Sequence, residues 1–129
     1  GAHHSITGGS LAVLDPGVGV DGMEPITRLT PEVCFPESEG WPTTYYASPW
    51  PLSEKYYLTA WSNKPLPPHS KMDTDDRRNP RNAQGLYLYD AFRNLELLYR
   101  DPAISSLCPI PVRPREKPRA PAILGLSCA

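Results

Sequence analysis

The stretch Gly85-Leu86-Tyr87-Leu88-Tyr89-Asp90-Ala91-Phe92-Arg93-Asn94-Leu95-Glu96-Leu97-Leu98-Tyr99-Arg100-Asp101-Pro102 has two readings, and the fold turns on the choice between them. No proline interrupts residues 82–100. Leu86, Tyr89, Phe92, Leu95 or Glu96, and Tyr99 fall near helical spacing, with Asn82 placed as an N-cap. Against a helix, Gly85 would sit in the first turn, and Leu86-Tyr87-Leu88-Tyr89 puts strand-favouring residues on both faces. Arg93-Asn94 then supplies a hairpin tip between two apolar runs. The strand reading is preferred.

Moving towards the N-terminus, Thr43 to Trp61 holds two more apolar runs, rich in tyrosine and tryptophan. Ser10 to Asp15 is another, closed by Pro16 and read as a strand. Ile26 to Thr30 alternates and stops at Pro31. Leu11, Val13 and Asp15 can be laid on Leu86, Leu88 and Asp90, giving a weak internal repeat. In both copies a strand ends in Asp, a polar turn follows, and a second strand stops before Pro31 or Pro102.

That order of elements suits a blade of a β-propeller, and 129 residues are too few to close one. The expected fold is therefore all-β: a partial β-propeller of about two four-stranded blades with long proline-rich loops. Residues 1–31 read as a partial blade. Residues 32–102 read as a blade with an inserted loop at 62–84, and 103–129 as a proline-rich crossing that begins the next strand. The inserted loop carries Asp73, Asp75, Asp76, Arg77, Arg78 and Arg81, and is expected at the surface.

Composition agrees with short strands and many loops. The 17 prolines exceed twice average usage, and proline is expelled from helix interiors and central strands. A net charge of −1 gives no global field favouring nucleic acid or a membrane surface. No apolar run approaches the roughly 18–20 residues that span a bilayer. Residues 1–10 lack the basic start and apolar middle of a signal peptide. Cys34, Cys108 and Cys128 are few and scattered, which permits one disulfide and a free thiol without requiring either.

Chemical motifs are weak. Gly17-Val18-Gly19-Val20-Asp21-Gly22 matches G-x-G-x-x-G, but Pro25 and a strand follow where phosphate binding needs a helix N-terminus. It reads as a glycine-rich turn. His3 and His4 are the only adjacent pair of good metal ligands, and neighbours on a strand point to opposite faces. They stand as weak candidates for a metal, with His69 or Cys34 as partners. Asp73 to Asp76 lacks the glycine and distal glutamate of a calcium loop. No nucleophile elbow occurs, so no catalytic residue is assigned. Pro109-Ile110-Pro111-Val112-Arg113-Pro114-Arg115 is extended by its prolines. With Arg113, Arg115, Lys117 and Arg119 it forms a candidate partner-binding strip, against the plainer reading of a proline-protected edge or crossing.

Several motifs together resemble the middle region of hydrazine synthase alpha subunit-like proteins. They are Ala2-His3-His4, Gly9-Ser10-Leu11, Asp15-Pro16, Arg28-Leu29-Thr30-Pro31-Glu32-Val33, Phe35-Pro36-Glu37 and Pro51-Leu52-Ser53-Glu54-Lys55. Gly85-Leu86-Tyr87-Leu88, Glu96 to Pro102 and Pro109 to Arg115 complete the set, which runs through most of 2–118. The resemblance implies a propeller lying between haem-bearing domains in multihaem relatives, in a periplasmic, extracellular or internal bacterial compartment. Hydrazine synthase itself joins nitric oxide and ammonium. This chain lacks the haem attachment motif, so no cofactor is expected in the segment itself; haem would lie on partner or flanking domains.

The expected role is a non-catalytic scaffold or interaction segment, completed by other protein chains or by copies of itself in an oligomer or filament. One alternative is a component of a multihaem oxidoreductase, which a copurifying Soret band would support. Another is a small binding module docking through the basic strip.

Overall fold

A computed structural model describes residues 8–67 and 80–114 of the chain. Among the described residues there is no helix, and six strands make two antiparallel sheets. β1 (Ala12–Leu14) pairs with β2 (Ile26–Arg28). The second sheet has four strands in sequential order: β3 (Tyr45–Pro51), β4 (Tyr56–Ser62), β5 (Gly85–Asp90) and β6 (Leu95–Tyr99). The all-β expectation holds, and residues 85–99 form a hairpin as the strand reading required. Among the described residues one sheet has four strands and the other two, where the expectation is two four-stranded blades.

Alternation along β4 and β5 explains the core. The register sets Tyr57 opposite Tyr89 and Thr59 opposite Tyr87, so these side chains share one face. Tyr46 of β3 joins them, opposite Trp61. Tyr46, Tyr57 and Tyr89 are buried on that face with Leu11 and Val33, and Leu29, Trp61 and Leu95 pack against the cluster. Leu11 and Leu29 flank the β1–β2 hairpin, so this hairpin is the cover of the sheet. Edge-to-face stacking sets Tyr46 against Tyr89 at 5.7 Å and Trp61 against Tyr87 at 5.2 Å. The Tyr89 hydroxyl donates to the Leu29 carbonyl at 2.9 Å and ties sheet to hairpin.

Loop contacts fix the hairpin's seat. Buried Thr30 accepts the Leu11 N–H at 2.7 Å on its Oγ1, and its carbonyl accepts the Ser10 hydroxyl at 2.8 Å. Arg28 lies over the Phe35 ring, pairs with Glu39 at 2.8 Å and donates to the Val33 carbonyl, closing the 28–39 loop. At the outer edge of β3, Gly9 and Tyr46 exchange two backbone hydrogen bonds. Gly9 has φ +144°, a conformation L side chains rarely adopt, and an added Cβ would stand 3.0 Å from Pro36.

The 62–84 connection is not wholly at the surface. Leu66, Pro67, Ala83 and Gln84 are buried among its described residues. The cause is a contact with residues far back in the chain: the Trp41 indole donates to the Leu66 carbonyl, and the Leu66 N–H donates to the Pro42 carbonyl. Leu66 also meets Tyr45 near Gly8, where a Cβ would come within 2.9 Å of both side chains.

Candidate interaction site

The weak repeat seen in the sequence has a structural counterpart at two aspartates. Oδ1 of Asp15 accepts the N–H of Gly17 at 2.8 Å, and Oδ1 of Asp90 accepts that of Phe92 at 2.9 Å. The Asp15 carbonyl accepts from Val18 at 3.1 Å, and the Asp90 carbonyl from Arg93 at 3.0 Å. Each aspartate also donates its own N–H across its hairpin, to Pro25 at 2.9 Å and to Asn94 at 3.1 Å. The two corners are built alike although one encloses residues 16–24 and the other only 91–93. The short tip needs a left-handed residue in third position, and Arg93 supplies it at φ 73°.

The likeness continues along the strands. Leu29 and, at longer range, Thr30 both donate to the Leu11 carbonyl, the signature of a bulge. The β5–β6 register also shifts at the matching place, where Leu86 faces Tyr99. Leu11, Val13, Leu29 and Thr30 thus correspond to Leu86, Leu88, Leu98 and Tyr99. Leu11 and Leu29 rest on the tyrosine core, whereas the counterpart of Leu29 is exposed. Leu86 and Leu88 are half-buried, Leu98 is 55% exposed and Tyr99 53%. Tyr56, on the same face of β4 as Leu58 and opposite Asp90, is exposed as well.

Electrostatics reinforce the corner and leave the core neutral. The Asn94 side-chain amide, then its N–H and that of Phe92, hold the Asp90 carboxyl below its usual value of 3.8. A depressed carboxylate contributes stability above its unfolded value, and that contribution is lost as pH falls through the folded one. The β5–β6 tip is therefore expected to loosen only below pH 3.8. Carbon-detected NMR titration should give Asp90 a midpoint under that value and, in the Asn94→Ala variant, one closer to it. Burial, then the Glu32 carboxylate and Tyr89, push the Tyr46 phenol up to about 12, so it packs as a neutral ring.

The residues singled out from sequence fare unevenly. Arg113 is exposed in an irregular segment, with Pro109 behind it buried and Val112 open. Arg115, Lys117, Arg119, His3, His4, His69, Cys128 and residues 73–76 lie outside the described residues, so the basic strip and the metal candidates are not brought together here. Gly17 to Gly22 lies in the β1–β2 turn, and a strand follows it. Cys34 and Cys108 are free thiols; Cys108 lies 3.4 Å from the Ser48 hydroxyl, which sits in the β3 bulge at φ 50°. Sequence reasoning missed the open face of β5–β6. Its signal was the repeat itself, which lays Leu98, exposed, on Leu29, which packs against the core. No family model, curated protein or solved structure matches the chain.

Proposed function

We propose that this chain is a non-catalytic scaffold and interaction module, one sheet of a radially stacked, propeller-like array. Its β5–β6 face receives the next sheet. One observation carries the reading: Leu11 and Leu29 are seated on Tyr46, Tyr57 and Tyr89, while Leu98, the counterpart of Leu29, is 55% exposed and Leu86 is only half-buried. The β1–β2 hairpin then stands for the outer half of the preceding sheet, and a following sheet repeats the same contact.

The path after β6 supports this arrangement. Ser105 and Ser106 bond to Gln84 and Arg81 before β5, and Cys108 reaches Ser48 in β3. The chain thus returns from the last strand of the sheet towards the first, as a crossing to a neighbouring sheet would. In this reading any haem of the larger assembly sits on other domains.

Light scattering and dye binding together test it. The full chain alone is expected to take up an apolar dye and to gain mass with concentration, because an open apolar face seeks cover. A monodisperse monomer that binds no dye overturns the reading.

A further inference from the structure

β1 is anomalous: Ala12, Val13 and Leu14 are all apolar and all exposed, Leu14 at 67%. In an antiparallel ladder, alternate residues turn their N–H and C=O away from the partner strand. Leu11 and Asp15 bond to the β2 side, at Leu29 and Pro25. Ala12 and Leu14 therefore turn their backbone groups to the opposite edge, where no strand lies among the described residues.

The corresponding strand, β5, shows what belongs there. Tyr87 and Tyr89 hold the positions of Ala12 and Leu14, and they pair with Thr59 and Tyr57 of β4. A cleft of about 560 Å³ borders the open edge at Ala12, between residues 8–12, residues 35–38 and the outer edge of β3 at 46–49. The cleft reaches Ala12, and beyond it Val13 and Leu14 are exposed, so the edge that corresponds to the β4 side of β5 is accessible.

We infer that β1 is an acceptor edge for a two-stranded hairpin of the β3–β4 kind, carried by a neighbouring unit and added antiparallel to Ala12–Leu14. The inference rests on the correspondence of β1–β2 with β5–β6 that also underlies the proposed function. Main-chain pairing supplies the affinity in such strand addition, and alternate side-chain positions supply the selectivity.

A backbone-cyclised peptide of residues 43–62, locked as a hairpin, is the probe, added to the isotopically labelled full chain. Exchange of the Ala12 and Leu14 amides is expected to slow by roughly tenfold or more. The Leu14→Pro variant removes one donor at an exposed edge position where proline is tolerated, so it should keep its thermal midpoint and lose the response. Unchanged exchange at Ala12 and Leu14 overturns the inference. So does a response confined to Tyr87 and Tyr89, which would mean that the peptide replaces the chain's own β3–β4. The readouts are separate from the stacking face: dye binding without pairing at β1 sinks this inference alone, and pairing without dye binding sinks the stacking reading alone.

Discussion

Replacing Tyr89 with alanine is expected to cost about 3–5 kcal/mol, the range for truncating a large buried aromatic side chain. For a domain of this size that lowers the thermal midpoint by on the order of 10–30 °C. Tyr89 is 2% exposed, stacks edge-on against Tyr46 and lies in the cluster with Leu11 and Tyr57. Truncation opens a cavity between sheet and hairpin and strands the Leu29 carbonyl that its hydroxyl serves. Native domains are stable by only about 5–15 kcal/mol, so this one change removes a large share. Tyr89→Phe separates the two contributions, because it keeps the ring and deletes the hydrogen bond at about 1 kcal/mol. Chemical denaturation of both variants, read by tryptophan fluorescence, measures the difference. Equal losses for the two would show that the hydroxyl, and not the ring, joins hairpin to sheet.

Leu98→Lys is expected to leave the chain folded and to weaken its assembly roughly 100-fold or more. Leu98 stands more than half exposed on the edge strand, so its replacement removes little intramolecular packing. In the array it takes the place that Leu29 holds against the tyrosine core. Burying a leucine contributes about 1.5–3 kcal/mol, and a buried ammonium without a partner adds a desolvation cost. Val20→Lys is the matched control, since Val20 is 94% exposed in the β1–β2 loop, away from that face. Sedimentation should show Leu98→Lys shifted towards the single chain and Val20→Lys unchanged, with dye uptake falling only in the former. Equal behaviour of the two variants would remove β6 from the contact surface.

Local chemistry made much of this legible. The alternation in Leu86 to Tyr89, the Asp90 corner, the Arg93-Asn94 tip and the stops at Pro31 and Pro102 are short-range signals, and the strands follow them. What escaped is set at long range. Gly9 pairs with Tyr46 far along the chain, and Leu66 is buried because Trp41 and Pro42 hold it, although a lone leucine among prolines has no period. The β3 bulge depends on Ser48 taking a left-handed backbone before Pro49, which no apolar pattern encodes. The candidate site was hidden for a related reason. Leu98 and Tyr99 look like core residues in a strand, and alternation cannot tell a side covered by the same molecule from one awaiting another.

The molecule's own hairpin packs on the tyrosine side of the main sheet, while Leu98 and Tyr99 on the other side are more than half exposed. In the proposed array one body's leucine face meets the next sheet and not another leucine face, so the contact is heterologous and has no dyad. Such a contact adds front to back, each step repeating one rotation and one translation. A pure rotation that divides the circle yields a ring of fixed number, and any residual rise turns the same contact into a spiral without a natural end. In that array the tilt between hairpin and sheet within a single molecule sets the pitch.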